Sequence, residues 1–261
     1  MKLKFLGTGA LTGVPACFCD CTGCEEARQN PLFHRTRCSL ALLDGKAIYL
    51  LDASPDLRIQ FLRENLGAPD ALLLTHHHFD HSGGIGELES YVRLHRRQPL
   101  PAFLTTESRN WFESAFGYMS DCLTIRSVGP GVKFRLGTSM VTAVEAQHDA
   151  GTIGFLMETA GRRICYLPDT GSLPDSTCAL LEGIETLILG ATFWQENPLP
   201  QTHLSVQEAV DIGLDLRVGE LYLTHLAMHY QPVTNMELTR YLGSRGSNLH
   251  LAYDGLSIQI R

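Results

Sequence analysis

The segment LTHHHFDHSGG, residues 74–84, continues from the apolar run ALLL and is the feature that most constrains the fold. Four histidines and one aspartate occupy six consecutive positions in it. Because side chains alternate along an extended chain, His76 and His78 point to one side and can bind one metal ion together. Asp80 and His81 follow where the chain turns, and they can bind a second ion. The alternative, a solvated surface loop, fits a single histidine better than this density of ligands.

Three further strand-like runs end in a residue that can bind a metal ion. TAVEAQ precedes His148, ICYLP precedes Asp169 and ELYLT precedes His225. A scaffold presents its functional groups in the loops at strand ends. Each of these residues alone would more often be structural or solvated. Four strand ends that each carry a metal-type ligand indicate one convergent site.

The pattern of apolar residues predicts a layered α/β fold. Strand-like runs gather in the first half of the chain and again from about Met140, and helix-like segments lie between them. One of these, SVQEAVDIGLDL, begins at Ser205 with Glu208 three residues on, which is a capping box. Two β-rich halves flanked by helices predict a sandwich within a single domain that spans residues 1–261.

Charge and hydropathy narrow the function classes. The net charge of -7 disfavours binding to duplex nucleic acid, which relies on clustered Lys and Arg. It does not exclude an anionic substrate, because metal ions can supply positive charge locally. No run approaches the roughly 20 apolar residues that cross a bilayer, and MKLKFLGTGA lacks the features of a signal peptide. The sequence therefore predicts a cytoplasmic protein that does not bind a membrane.

A second group of ligands lies in the segment ACFCDCTGC, where four of the eight cysteines occupy eight positions. In a cytoplasmic protein, such a cluster favours a metal site over a disulfide framework. Cys19, Cys21 and Cys24 form a CxCxxC pattern that predicts a structural zinc site in a loop at about residues 15–26. Free thiols in a mobile loop are the alternative.

Tetrahedral zinc needs one more ligand than these three thiolates. His229 is the best candidate, because it comes one helical turn's length after His225 and can face a different direction from the active-site ligands. Cys17 is the alternative.

The chain resembles the metallo-β-lactamase superfamily through an HxHxDH motif and three later single ligands. In chain order, the matching residues are His76, His78, Asp80, His81, His148, Asp169 and His225. The resemblance implies an αββα sandwich with a dinuclear metal site along one edge. It assigns His76, His78 and His148 to one ion, Asp80, His81 and His225 to the other, and Asp169 to both. The donor types suit zinc, manganese or iron, and they do not choose among these metals.

Within that superfamily the chain resembles the cyclic phosphodiesterases of the carbon–phosphorus lyase pathway. The shared segments are GTG, GVP, the CxCxxC pattern, GFLMET, YLPDTGSLP and YDGLSI. The resemblance implies hydrolysis of small cyclic phosphate diesters, such as 5-phosphoribosyl 1,2-cyclic phosphate, by a hydroxide that two metal ions activate. It also implies a zinc site that a histidine completes shortly after the last active-site histidine. The chain departs from the family there, because Met228 occupies the usual position and His229 comes one residue later.

Three further roles follow for residues near the predicted ions. His203, just ahead of the capped helix, matches a family histidine in the active site, which implies a general acid or a transition-state stabiliser. A histidine that bonds its own backbone is the alternative. Asp80 is the second predicted catalytic residue. Asp52, in YLLDASPD, is predicted to accept a hydrogen bond from a ligand imidazole, and the alternative is a turn or helix-capping residue.

Other functions on the same scaffold remain alternatives. The nucleases of the tRNA 3′-processing type add a long basic arm, and the sequence shows no such insertion. The segment DASPDLRIQ with the CxCxxC pattern also resembles the B proteins of pyrroloquinoline quinone biosynthesis, which act in an oxidative step. Their histidine motif departs from HxHxDH, so the complete ligand set favours hydrolysis. A catalytically silent binding protein is the third alternative. The predicted partner is a small phosphodiester, and a homodimer is the commonest assembly.

Overall fold

The computed structural model describes residues 1–159 and 161–260. Each half of the chain forms most of one seven-stranded sheet. The first sheet contains β1 (Lys2–Gly7), β2 (Ser39–Asp44), β3 (Ala47–Leu51), β4 (Ala71–Leu73), β5 (Leu100–Leu104), β6 (Leu123–Ser127) and β14 (Ser257–Gln259). The second contains β7 (Lys133–Leu136), β8 (Ser139–Glu145), β9 (Ile153–Thr159), β10 (Arg162–Leu167), β11 (Thr186–Gly190), β12 (Glu220–Thr224) and β13 (Leu249–Leu251).

Eight α-helices lie among the described residues, with short 3-10 turns at Pro31–Phe33 and Gly117–Cys122 and a π-helical turn at Val92–Arg96. The helices are α1 (Thr22–Gln29), α2 (Leu57–Arg63), α3 (Phe79–Ser82), α4 (Ile85–Tyr91), α5 (Thr106–Ala115), α6 (Asp175–Leu181), α7 (Val206–Asp215) and α8 (Asn235–Arg245). The predicted capping box at Ser205 and Glu208 is present at the start of α7. None of the described helices has the length and apolar character to cross a membrane.

Three apolar clusters form the layers of the sandwich. The central cluster packs the two sheets face to face, with Phe5 and Leu51 from one and Phe155 and Tyr166 from the other. A second cluster lies between the first sheet and the helices α2, α4 and α5, and a third lies between the second sheet and α6, α7 and α8. This four-layer order of helices, sheet, sheet and helices confirms the predicted αββα sandwich.

The order of the strands brings their ends to one edge. The first sheet runs β14-β1-β2-β3-β4-β5-β6 and the second runs β13-β12-β11-β10-β9-β8-β7. Strands β3 to β6 pair in parallel, and so do β10 to β13. Because parallel strands end together, the loops after β4, β10 and β12 meet at the carboxyl edge of the two sheets. This is the edge where open α/β folds bind ligands.

Candidate metal centre

The HxHxDH segment is held in place by a close backbone approach. The chain leaves β4, passes through His76 and His78, and then forms the single turn of α3, which carries Asp80 and His81. Three residues after His81, Gly84 donates its backbone N–H to the Ala53 carbonyl at 2.8 Å. A Cβ at Gly84 would lie 2.0 Å from the carbonyl oxygen of Ser54, so only glycine fits here.

The first group of donors consists of His76, His78 and His148, whose ligand atoms lie within 4.8 Å of one another. The Nδ1 of His148 lies 2.7 Å from the Thr202 carbonyl, an acceptor, so Nδ1 carries the proton, and the unprotonated Nε2 faces the group at 3.1 Å from His78 Nδ1. The Thr75 hydroxyl donates to Asp52, and its oxygen lies 3.1 Å from His76 Nδ1. That contact leaves His76 Nε2 facing the group.

The second group contains Asp80, His81, Asp169 and His225, and all four side chains are buried. The Nε2 of His81 lies 2.8 Å from Asp169 Oδ2, and the Nε2 of His225 lies 3.1 Å from Asp80 Oδ2. Asp169 Oδ2 also lies 3.6 Å from His76 Nε2 in the first group. Asp169 therefore lies between the two groups, as a bridging ligand would.

Asp52 organises the fully buried side of this centre. It receives a contact of 2.8 Å from His81 Nδ1, and Thr75 donates to it from both the backbone and the hydroxyl group. The Tyr166 hydroxyl donates to the same carboxylate at 3.1 Å. Asp52 has a φ of 61°, a left-handed conformation in which Asp and Asn are among the tolerated residues. This arrangement orients the His81 ring so that its Nε2 faces the donors.

The electrostatics of the donors suit a cation. Burial lowers the pKa of His76 well below its usual value, which keeps the imidazole neutral. Burial raises the pKa of Asp169, but His225 and His81 outweigh it and hold that pKa well below the usual range. Burial also lowers the pKa of His81, but Asp80, Asp52 and Asp169 outweigh it and raise that pKa well above its usual value. Metal binding would replace the His81 proton with a cation among the same carboxylates.

Buried polar atoms without a well-formed hydrogen bond provide a further test of whether this site fits a metal ion. The buried atoms His76 Nε2, His81 Nε2 and Asp169 Oδ1 form no hydrogen bond of good geometry among the described residues, although His81 Nε2 lies 2.8 Å from Asp169 Oδ2 and Asp169 Oδ1 lies 3.1 Å from His203 Nδ1. Buried polar atoms are normally satisfied, and a group of such atoms that converge calls for an explanation. A metal ion at this position would satisfy them all, so the residues present fit the divalent ions that the fold implies.

The metal centre spans both sheets. His76, His78, Asp80 and His81 follow β4 of the first sheet, whereas the three later ligands follow strands of the second sheet. Each of the two donor groups therefore combines residues from both halves of the chain.

His203 lies at the edge of this centre, ahead of α7. Its Nδ1 is 3.1 Å from Asp169 Oδ1 and 3.3 Å from the Thr192 hydroxyl, and it forms a donor group with His148 and Asp169. Its side chain is partly exposed to a cavity of about 510 Å³. That cavity is lined by Ala10, Leu11, Thr12, His78, Asp80, Asp169, Thr192, Phe193, Pro198, Leu199, His203, His225 and Tyr230.

Sequence reasoning missed the partners that orient the ligands. Thr192 contacts His225 Nδ1 at 3.0 Å, Thr202 contacts His148, and Tyr166 contacts Asp52. Tyr166 lies 114 positions from Asp52 in the chain. No local pattern marks these residues, because only the packing of the two sheets brings them to the ligands.

The cysteines form a separate donor group. The Sγ atoms of Cys19, Cys21 and Cys24 lie within 4.8 Å of one another. Cys24 is buried at the first turn of α1 and accepts a hydrogen bond from the Ala16 backbone at 3.3 Å. Burial raises the pKa of the Cys24 thiol to about 12, whereas a hydrogen bond from the Cys21 backbone lowers the pKa of Cys19. The structure thus brings the three predicted zinc ligands together.

The structure does not place His229, the predicted fourth ligand, in the donor group of the three cysteines. His229 Nε2 lies 3.0 Å from the Thr12 hydroxyl, and its buried Nδ1 has no partner among the described residues. The preceding residue, Met228, has its carbonyl 4.0 Å from Cys21 Sγ. Cys17 is exposed. Both His229 and Cys17 remain predictions for the fourth position.

Comparison with known proteins identifies the class. The sequence profile of the Beta-lactamase superfamily domain matches residues 48–226, which is more than half of the chain. The protein therefore belongs to the metallo-β-lactamase superfamily, as the HxHxDH motif predicts.

Several individual proteins are similar to this chain. The chain is similar in structure to a diphosphatase of the PhnP family, with 26% identity, a TM-score of 0.87 and coverage of 100% of this chain and 98% of the other. Zinc-bound PqqB from Methylobacterium extorquens has the same fold, with 22% identity, a TM-score of 0.85 and full coverage of both chains. The octanoyltransferase of Porphyromonas gingivalis is 28% identical over 98% of this chain. The chain spans about half of its length, 51%. The predicted membership of the metallo-β-lactamase superfamily is thus confirmed, and a PhnP-family protein is among the structural neighbours, as is PqqB.

Proposed function

We propose that this protein is a metal-dependent phosphoric diester hydrolase that acts on small phosphate diesters, cyclic ones included. One observation carries the proposal. Two groups of imidazole and carboxylate donors, of which the second is fully buried, approach each other through Asp169 beside a cavity of about 510 Å³. The structural likeness to a diphosphatase of the PhnP family supports phosphorus chemistry in particular.

The ligands have distinct roles in this proposal. Two divalent ions, manganese, zinc or iron, would supply Lewis acidity and lower the pKa of water toward neutrality. His76, His78 and His148 would hold one ion, Asp80, His81 and His225 would hold the other, and Asp169 would contact both. Asp52 keeps His81 in the tautomer that binds, and the Thr202 carbonyl does the same for His148.

His203 is the proposed general acid. Its ring lies at the cavity edge, and its Nδ1 contacts Asp169 at 3.1 Å. Imidazole is the side chain that most often acts as a general acid, and from this position it can donate a proton to the leaving group. General acid catalysis of this kind contributes about 10²–10⁴-fold, so His203→Asn is expected to lower kcat by that range and to retain metal.

The proposed partner is a small phosphodiester rather than duplex nucleic acid or a membrane. With a net charge of -7, the chain lacks the basic excess that phosphate backbones require. The metal ions would provide the positive charge for one phosphate group. We also propose a homodimer, the commonest assembly of soluble proteins, and cytoplasmic localisation.

The test uses purified protein with its metal content measured before and after manganese loading. Hydrolysis of bis(p-nitrophenyl) phosphate, adenosine 2′,3′-cyclic phosphate and 5-phosphoribosyl 1,2-cyclic phosphate is then followed. His78→Ala should lose metal and turnover, whereas His34→Ala, which alters an exposed histidine outside the centre, should keep both. Absence of turnover at full metal occupancy would contradict the proposal and favour the oxidative alternative.

A further inference from the structure

The cavity beside the metal centre has an apolar mouth. Three of its lining side chains are large, hydrophobic and exposed: Leu11 at 52%, Leu199 at 51% and Tyr230 at 62%. They come from separate segments of the chain and meet only at this cavity. Apolar side chains that converge at the rim of a cleft indicate contact with a ligand rather than chance exposure.

Aromatic rings connect this mouth to the metal ligands. The ring centroid of Phe193 lies 6.0 Å from that of His203 and 5.7 Å from that of Tyr230, which it meets at 64°. The His229 ring lies 4.7 Å from Tyr230 as well. Tyr230 is therefore supported by two rings and still presents exposed surface to the cavity. A supported, exposed aromatic ring provides a stacking surface for a planar group of a ligand.

The cavity offers no fixed positive charge. Among its described lining residues there is no lysine and no arginine. Arg37 approaches from outside, but its Nε donates to the Leu11 carbonyl and its guanidinium pairs with Asp56 at 3.0 Å. The hydroxyl groups of Thr12 and Thr192 are occupied by histidine rings. A second phosphate group on a substrate would therefore enter a partly apolar space without a protein cation, which is unfavourable.

We infer that the cavity selects phosphate diesters that carry an uncharged planar ring, a nucleobase or an aryl group, and that Tyr230 is the residue that recognises this ring. The inference rests on the proposed phosphodiesterase function and specifies its substrate class. The volume of about 510 Å³ lies within the range of about 300–1,000 Å³ that is usual for small-ligand sites. Diesters with an additional phosphate monoester, such as 5-phosphoribosyl 1,2-cyclic phosphate, should have a lower kcat/KM than diesters with an uncharged planar ring.

Two matched pairs of substrates test the inference. Adenosine 2′,3′-cyclic phosphate is compared with the same compound bearing a 5′-phosphate, so only the second phosphate differs. Bis(p-nitrophenyl) phosphate is compared with methyl p-nitrophenyl phosphate, so the leaving group is shared and only the second ring differs. Rates are normalised to the reaction with hydroxide. For the aryl pair, kcat/KM should be about tenfold lower for the second member, because stacking of one ring contributes about a factor of ten or more. For the adenosine pair, kcat/KM should be lower for the second member, because its 5′-phosphate meets no protein cation in the cavity.

Variants of Tyr230 test whether this residue causes the selectivity for ring-bearing substrates. Tyr230→Ala should raise KM about tenfold for adenosine 2′,3′-cyclic phosphate and bis(p-nitrophenyl) phosphate, whereas Tyr230→Phe, which keeps the ring, should have the native KM. Tyr118→Ala is the matched control, since Tyr118 is 65% exposed and lies outside the cavity. Binding of adenosine, followed by saturation-transfer NMR with metal-free protein, should weaken in Tyr230→Ala and provides a readout that does not require turnover.

The outcomes separate the two proposals. Equal kcat/KM values within both pairs, together with intact hydrolysis, would overturn the ring selectivity and leave the phosphodiesterase function standing. An unchanged KM in Tyr230→Ala would overturn the role of that residue. No hydrolysis of any diester by fully metal-loaded protein would overturn the proposed function and the inference with it.

Discussion

The histidine–aspartate centre and the cysteine cluster are both groups of metal-type donors, yet they are built in opposite ways. The first collects ligands from loops far apart in the chain, and nearly every ligand has a partner that orients it. The second draws Cys19, Cys21 and Cys24 from a single loop and the first turn of α1. The strand ends of two sheets position the first group, whereas one loop and one helix end carry the second, where the proposed zinc ion would add order.

Because of this difference, substitutions in the histidine–aspartate centre should affect activity, and substitutions in the cysteine cluster should affect stability. Loss of a ligand from the first centre should remove activity and leave the packed sheets in place, because their apolar clusters lie below the loops. Loss of a ligand from the cysteine cluster should loosen the N-terminal loop and change chemistry little. Four predictions examine this contrast, in order of expected effect.

The largest effect is expected from Asp169→Ala. The change removes the carboxylate that lies between the two donor groups, so at least one ion should be lost and kcat/KM should fall at least about a thousandfold. Metal analysis and hydrolysis of bis(p-nitrophenyl) phosphate measure both quantities. Asp175→Ala, at an exposed position in the first turn of α6, is the control and should behave like the native protein. Retention of both ions and of activity in Asp169→Ala would show that the centre is assigned incorrectly.

A smaller loss is expected from Asp52→Asn. Asn also tolerates the left-handed backbone at this position, so the fold should persist. The weaker acceptor would hold His81 less firmly, and metal affinity should fall about 10–100-fold. Competition with a chelator of known affinity measures this change. Asp44→Asn, which alters a surface carboxylate bonded to Thr138, is the control. Equal affinities in the two variants would argue that Asp52 is only a turn residue.

Cys24→Ser should affect stability instead of chemistry. The variant is expected to lose the proposed structural zinc and about 2 kcal/mol of the free energy of unfolding, which lowers Tm by about 4–8 °C. Its kcat should stay within about twofold of the native value, because the cluster is distinct from the donor groups at the cavity. Calorimetry and zinc analysis provide the measurements. A large loss of kcat with an unchanged Tm would reverse the proposed division between the two regions.

The smallest effect concerns the fourth zinc ligand. His229→Ala and Cys17→Ser are compared, and the variant that lowers zinc affinity identifies the residue that completes the tetrahedral site. Because His229 Nε2 contacts Thr12 in the structure, its Nδ1 is the atom available for the ion. Zinc competition titrations decide between the two residues. Native affinity in both variants would assign the fourth position to another group.

The contrast also explains how much the sequence could predict. The HxHxDH motif and the single histidines and aspartate at strand ends are local patterns, so the convergence of these donors and the superfamily fold could be predicted from them. Helix α8 was missed, although Thr234 and Glu237 form a capping box there. The pairing of β14 with β1 and the contact of Tyr166 with Asp52 join distant parts of the chain. Such contacts depend on tertiary packing, and no spacing in the sequence encodes them.

The position of the metal centre across the seam of the two sheets has a consequence for the lifetime of the protein. Each donor group takes ligands from both halves, so each ion would act as a crosslink between them. An ion present at a hundred times its Kd adds about 2.7 kcal/mol to the free energy of unfolding. Metal supply would then determine how often the halves separate and expose the chain to proteases. The same ions that carry out the chemistry would thus set the abundance of the enzyme in a metal-starved cell.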